Sequence, residues 1–570
     1  MTRWATLAGL VLWGWVLTAP GGFAVEYYVS EKGNDAWSGT LPAPNATGTD
    51  GPFRTLAKAG AVVGPGDVCI IRQGVYRETL RPVASGEAGR PIRFRAYPGE
   101  APVLSGADQI PNWTKEEGVR WSAPMPWDLA DQNQLFLGEQ MLTEARWPNN
   151  TGTLLQPVRA RAAAGSATTL TDPALPDDAS AWKGALLWCA GGAKWVCWTG
   201  VVTGFDPASK TLSFEYAQAA DRWYTPTAGS EYVVMGAHNM LDAEGEWWLD
   251  REHKRVWLIP PGGQDPNHLP VEAKRRLHVV DLSGRSHVHL EGLAFRAGGI
   301  LTDDHSSNLV FTRLRGEYVA HSYARDVSSN AVLVRGVRHT LHSCEFAFAS
   351  HSVLAVRGQE HRVVNCYVHH GNYGGWWSGT VSVSGRRHLI SHNTFRHSGR
   401  DLMSIHGLAE SLVQYNDLSH AGWLTHDLGM TYGHNTDFAN TVIRYNWVHD
   451  NQAKGLAMGI YFDHLSHNVI VHHNLLWNIT GDAIRVNNPS YFNLIAHNTC
   501  YRTNTSARSI GSFDHSRRQD LFGVRWHNNL LNAPLALPEN AVVSHNHSLP
   551  DPGYLNPEAG RFELKPDSPA

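Results

Sequence analysis

The 570-residue chain reads as an all-β protein, a parallel β-helix solenoid carrying an inserted β-rich domain. Three observations predict this. A short phrase recurs every ~20–30 residues, the segments between its copies alternate apolar and polar, and no window of a dozen residues carries a strong helical period. The phrase is polar–(His/Tyr)–Asn–x–apolar. Its copies are Ser391-His392-Asn393-Thr394-Phe395, Gln414-Tyr415-Asn416-Asp417-Leu418, Arg444-Tyr445-Asn446-Trp447-Val448, His472-His473-Asn474-Leu475-Leu476, Ala496-His497-Asn498-Thr499-Cys500 and Trp526-His527-Asn528-Asn529-Leu530. By subtraction the Asn-to-Asn steps are 23, 30, 28, 24 and 30. Two earlier copies, His342-Ser343-Cys344-Glu345-Phe346 and Val364-Asn365-Cys366-Tyr367-Val368, put Cys in the Asn place.

Segments such as Leu402-Met403-Ser404-Ile405 and Val442-Ile443-Arg444-Tyr445 show the period of a half-buried strand. Helical repeats would need helices, and leucine-rich repeats would need Leu at fixed offsets. Neither pattern is present, so each copy is one coil of two or three short strands. Coils stacked at ~4.8 Å pair each strand with its equivalents above and below. An inward Asn at a fixed place in each coil then builds a ladder of side-chain amides. The histidines that directly precede an Asn (His392, His467, His473, His497, His527 and His545) are expected to stack along the same turn.

Composition narrows the partners. Apolar content is 42%, charged content 18% and net charge −4, so nothing marks a nucleic-acid binder. Trp is abundant at 22, and indole faces on a β-surface suit sugar rings as well as a core. Residues 1–24 read as a signal peptide. Arg3 supplies the positive start, residues 5–19 are apolar but short, and Gly22-Phe23-Ala24 offers a cleavage site. A secreted or periplasmic monomer with no membrane attachment after cleavage is expected. Of six Cys, Cys189 and Cys197 flank Gly191-Gly192 and can close a hairpin, and Cys344 and Cys366 stand one coil apart. Cys69 and Cys500 read as core thiols. No CxxC occurs, and no metal site or cofactor is expected.

Residues 25–106 open with Glu26-Tyr27-Tyr28-Val29-Ser30, then Pro52-Phe53-Arg54-Thr55-Leu56 and Pro91-Ile92-Arg93-Phe94. This opening resembles the first coils of secreted right-handed parallel β-helix proteins of the pectate-lyase-like superfamily. The resemblance implies an N-terminal capping helix at residues 55–63. Residues 107–275 lose the Asn phrase and carry Trp-rich strands. They include Gln140-Met141-Leu142-Thr143-Glu144-Ala145-Arg146-Trp147-Pro148-Asn149 and Gly245-Glu246-Trp247-Trp248. This is the expected insertion. The main solenoid is expected at 276–540 and a tail at 541–570.

The binding surface of a filled solenoid is the outer face of a stacked sheet. Aligning Gly429-Met430-Thr431-Tyr432-Gly433-His434 with Gly459-Ile460-Tyr461-Phe462-Asp463-His464 gives two outward ladders. One is Ser404, Thr431, Tyr461 and Arg485, and the other is His406, Gly433, Asp463 and Asn487. Asp427 falls six positions short of the place facing Asp463, so it reaches this strip only around a bend. Asp401 and Asp482 precede strands at matching offsets, as repeated turn residues do.

Two carboxylates around a sugar are the minimum for glycoside hydrolysis, one protonating the leaving oxygen and the other attacking or activating water. Asp427 with Gly429 and Tyr432, followed by Gly459-Ile460-Tyr461-Phe462-Asp463, resembles glycoside hydrolase family 141, which includes fucosidase and xylanase activities. The resemblance implies Asp427 and Asp463 as the catalytic pair acting on a plant or algal polysaccharide or its oligosaccharides. The plainer role for each is a turn Asp capping a coil. His406, His434, His464, Tyr461, Arg485 and Asn487 are expected to contact substrate, with Trp376 and Trp377 as a sugar platform. Two other readings stay open. One is a polysaccharide lyase, with Lys454 or Arg485 as base and Ca²⁺ on Asp427 and Asp463. The other is a non-catalytic glycan-binding solenoid.

Overall fold

The computed structural model describes residues 24–216, 221–323, 331–503, 510–511, 520–537 and 541–570, so the signal peptide expected at 1–24 lies, but for residue 24, outside the described residues. From Glu26–Val29 onward the chain winds through three parallel sheets of 14, 13 and 12 strands, here sheets 1, 2 and 3. A typical coil lays Leu412–Gln414 in sheet 1, Asp417–Ser419 in sheet 2 and Leu428–Gly433 in sheet 3. The next coil repeats this in register, with Leu412, Val413 and Gln414 facing Val442, Ile443 and Arg444. Inward residues of all three sheets merge into one core running the length of the solenoid, from Val29 to Leu531. Near its N-terminal end, helix Leu56–Val62 starts at Thr55, whose hydroxyl accepts the Lys58 N–H at 3.1 Å. Leu56 and Ala59 of that helix belong to the core. Among the described residues no helix is long and apolar enough to cross a membrane.

The corner between sheets 1 and 2 holds the Asn ladder. Asn393, Asn416, Asn446, Asn474 and Asn498 each donate Nδ2–H to the Oδ1 of the Asn one coil on, at 2.9–3.0 Å. Asn529 continues the run to Asn546 at 2.7 Å. Each Oδ1 also accepts the backbone N–H of the preceding rung at 3.0 Å. Cys366 sits directly before the first rung, and its N–H reaches Asn393 Oδ1 at 2.9 Å. The residue before each rung has left-handed φ, from 51° to 59°. The structure corrects the phrase in one coil: the rung is Asn529, and Asn528 takes the left-handed place. His527 therefore falls within strand Arg525–His527, and His467 within Ser466–His472, so neither joins the turn stack. The stack itself runs His392, Tyr415, Tyr445, with ring centroids 4.9 and 5.1 Å apart, tilts onto His473 at 5.2 Å, and continues to His497 at 4.9 Å.

A second ladder explains further histidines. His339, His361 and His388 are buried and stack at 4.8 and 5.0 Å. The Nδ1 of His361 accepts the N–H of His339, and that of His388 the N–H of His361, at 3.0 and 3.1 Å. Ser411 and Thr441 hydroxyls carry the same contact onward.

The insertion leaves the solenoid after Val103–Ser105 of sheet 2 and rejoins it at His278–Asp281 of sheet 3. Between them, strands from Ala107–Gln109 to Val271–Lys274 form mainly antiparallel sheets of four, five and eight strands. The insertion docks back on the solenoid at Gly374-Gly375. Trp188 Nε1 donates to Gly374 O and Cys197 N–H to Gly375 O, both at 2.8 Å. A Cβ on Gly375 would lie 2.5 Å from Cys197 Sγ, so this close approach needs glycine. At the far end Val542–Ser544 and His547–Ser548 still pair with solenoid sheets, carrying the coils past residue 540. All six cysteines are buried free thiols. Cys189 faces Trp198 across its hairpin, which leaves Cys197 out of register for a bridge.

Replacing Asn446 with Ala would strand the Asn416 backbone and side-chain N–H groups and the Val413 carbonyl. At ~1–3 kcal/mol for each buried unsatisfied group, the thermal midpoint of Asn446→Ala should fall by the equivalent of ~3 kcal/mol or more. Tyr445→Ala, next in sequence but 38% exposed, should cost under ~1 kcal/mol.

Candidate active site

Four neighbouring strands of sheet 3 build the site: Asp401–Ser404, Leu428–Gly433, Ala457–Phe462 and Ile484–Val486. Their register places Ser404, Tyr432, Tyr461 and Arg485 in one row. Continuing one step past the strands gives His406, His434, Asp463 and Asn487. The expected ladders are thus corrected by one residue in the second strand, where Tyr432 replaces Thr431 and His434 replaces Gly433. The physical reason lies in the glycines used to align them. A Cβ on Gly429 would meet Tyr461 Cβ at 2.7 Å, on the outer side. One on Gly459 would meet the core side chain of Leu476 at 2.7 Å. Stacking glycines that serve opposite faces slips the register by one.

The corrected rows converge on Asp463. Tyr432 Oη–H donates to its Oδ2 at 3.0 Å. Asn487 Nδ2–H and the His464 N–H donate to its Oδ1 at 2.8 and 2.9 Å. Asn487 also donates to Tyr461 Oη at 2.7 Å, which fixes the amide between the two. Burial, with the Asp463 charge, pushes the Tyr432 hydroxyl pKa upward and keeps it a donor. Three donors on one carboxylate suit a charged acceptor. His434 and His464 pair through their Nε2 atoms at 3.0 Å at the rim.

Asp427 arrives differently. It stands in left-handed conformation, φ 54°, at the bend just before strand Leu428–Gly433. Its N–H bonds Leu456 O, and Arg400 Nη2 holds its own carbonyl at 3.3 Å. The bend turns it into the pocket that Asp463 lines. Burial raises the pKa of its carboxyl, and the charge of Asp463 raises it further, against the opposing pull of Arg400 and Arg485. The two aspartates therefore sit in one site with contrasting surroundings, one carboxyl bound by three donors and the other desolvated and biased toward its protonated form.

The pocket measures about 790 Å³. Its lining includes His406, His434, Tyr461, His464, Arg485, Asn487 and Trp377. Trp376 is only 4% exposed and stacks on His351 at 5.3 Å, so the sugar-platform expectation fails for it. Adjacent residues face opposite ways, and Trp377, at 43% exposed, is the one that meets the pocket. Arg485 lines the wall with its charge already matched: Nε and Nη2 lie 2.8 and 2.7 Å from Asp482. Asp401 likewise pairs with Arg400, and burial still pushes its carboxyl up to about 6. Both aspartates are thus ion-pair partners within the sheet rather than turn residues alone.

Three contributors escaped the sequence reading. Arg400 is buried, donates from Nε to Trp195 O at 2.9 Å, and lies 4.3 Å from the Trp377 ring and 5.0 Å from that of Tyr432. Trp195 and Trp223 come from the insertion, stack at 4.7 Å, and close one side of the pocket. The Asn phrase does not extend into a domain without coils.

A description of right handed beta helix regions matches residues 298–499 of this chain. A solved glycoside hydrolase superposes with a TM-score of 0.62 at 16% identity, covering 88% of this chain and 96% of that one. XylC, solved in complex with xylose, gives a TM-score of 0.42 at 16% identity over 90% of this chain and 70% of that one. Uncharacterized protein YwoF of Bacillus subtilis strain 168 is 43% identical over 79 residues, which span 14% of this chain and 15% of that protein. The family match and the glycoside hydrolase superposition speak for the fold, a right-handed parallel β-helix.

Arg400→Met should leave Asp401 buried without its cation and cost ~3–5 kcal/mol in thermal unfolding. Adding Asp401→Leu should recover most of that loss, a coupling that a double-mutant cycle reads directly.

Proposed function

We propose that the protein is an exported glycoside hydrolase, with Asp427 as the acid and Asp463 as its partner carboxylate. One observation carries this reading: two aspartates share a pocket whose surroundings bias one toward the proton and supply the other with donors. In the reaction, Asp427 delivers its proton to the glycosidic oxygen as the bond to the anomeric carbon breaks. Asp463 either attacks that carbon or takes a proton from the water that does. Tyr432 and Asn487 hold Asp463 in place, and Trp377, Trp195 and Trp223 offer ring faces to the sugar. The resemblance of the Asp427 and Asp463 phrases to glycoside hydrolase family 141 belongs to the same reading. The substrate class is a plant or algal polysaccharide or its oligosaccharides, and the working unit is a monomer.

The lyase alternative needs a free basic side chain beside the scissile bond. Arg485 is engaged by Asp482, and Lys454 is exposed and outside the pocket lining, which disfavours that route.

Asp427→Asn and Asp463→Asn should each lower turnover at least ~100-fold on a panel of plant and algal glycans, with the thermal midpoint retained. No product should gain the ultraviolet absorbance of an unsaturated uronate, and chelator should leave the rate unchanged. Intact turnover in both variants would remove the assignment. The wild-type rate should fall as pH rises through the raised pKa of Asp427, because the acid proton is lost. In Asp427→Asn that alkaline limb should vanish.

A further inference from the structure

We infer that a second cleft, between the insertion and the solenoid corner where sheet 2 ends, is a binding site for an uncharged saccharide unit. The cleft measures about 530 Å³ and is distinct from the Asp427–Asp463 pocket, with no lining residue in common. Its solenoid wall is an aromatic ladder of one ring per coil. Tyr318, Phe348, His370 and His397 follow one another at 4.7, 5.1 and 4.6 Å. All four have left-handed φ within or near the ends of sheet 2 strands, and all four line the cleft.

The insertion wall is the phrase around Gln140-Met141-Leu142-Thr143-Glu144-Ala145-Arg146. That phrase stood out in the sequence and plays no part in the catalytic pocket. Glu144 lines the cleft with no hydrogen bond or ion pair from a described residue to its carboxyl, and burial pushes that carboxyl up to about 7. Arg146 spends its guanidinium on the carbonyls of Pro148 and Val158 and forms no ion pair with a described residue. Two further buried polar atoms that belong to lining residues, His397 Nδ1 and Trp423 Nε1, have no partner. Buried polar atoms are seldom left unpaired, so these two, beside the Glu144 carboxyl, mark a place built for hydroxyls.

The ligand class follows from charge and shape. His370 and His397 are held neutral at pH 7, since burial lowers each to about 4. The one guanidinium is spent on backbone carbonyls, so the cleft presents no unengaged cation to a uronate or phosphate. Ring edges and apolar side chains beside isolated donors and acceptors match a sugar, which presents C–H faces and hydroxyls together.

The test uses the full-length protein with cellobiose, xylobiose and galactobiose, and with digalacturonic acid as the charged comparison. Crystals soaked in each should show a neutral disaccharide in this cleft. In calorimetry, Glu144→Leu should weaken that binding by about tenfold or more without lowering the thermal midpoint, because the half-buried carboxyl it removes bonds no described residue. Thr153→Trp, at the exposed rim, should block the cleft by bulk alone. The inference is overturned if both variants give wild-type isotherms, if no neutral disaccharide occupies the cleft, or if digalacturonic acid is preferred. Each readout is binding, so it stands whether or not Asp427 and Asp463 hydrolyse anything.

Discussion

From Asn393 to Asn546 each coil turns a corner with its backbone packed against the next, and the Asn ladder makes that possible. A turn inside a stack has neighbours above and below instead of water, so its N–H and C=O groups need partners from the protein. One amide per coil meets that need twice over. Its oxygen takes the backbone N–H of one neighbouring turn, and its nitrogen reaches both a strand carbonyl and the next amide. Because each rung bonds the next, the spacing and rotation of successive coils are set together. Asp463, Tyr432 and Asn487, on three successive coils, meet in hydrogen-bond distance for that reason.

The solenoid alone leaves an open face. The insertion turns that face into a pocket by laying Trp195 and Trp223 along one side, anchored through Arg400 and the Gly374-Gly375 contact. Arg400 ties the two parts electrostatically as well. It bonds the insertion backbone, pairs with Asp401 and steadies the bend at Asp427. The rigid stack supplies one carboxylate through register, and a strained left-handed bend supplies the other. Both walls of the second cleft arise from the same docking, so one domain contact creates two separate concave surfaces.

Much of this was legible in the sequence because a repeat writes its geometry periodically. The Asn phrase predicted the stacked coils, and aligning their strand phrases brought His406, Asp463 and Asn487 into one ladder. Errors arose where one-dimensional likeness hid a change of face. Gly429 and Gly459 look equivalent but clear space on opposite sides of the sheet, and Asn528 resembles a rung yet occupies the residue before it. Trp376 and Trp377 form one doublet, though only the second reaches the pocket. Arg400, Trp195 and Trp223 were invisible for a different reason: their roles depend on how a non-repeating domain docks, which no period records.

The account rests on the electrostatic coupling of Asp427 to Asp463 within one desolvated pocket. Titrating the Asp427 carboxyl by carbon-13 NMR, in the wild type and in Asp463→Asn, measures that coupling directly. The account predicts a pKa above the ordinary aspartate range that falls when the Asp463 charge is removed. An Asp427 that titrates as an ordinary aspartate and is unmoved by Asp463→Asn would contradict it.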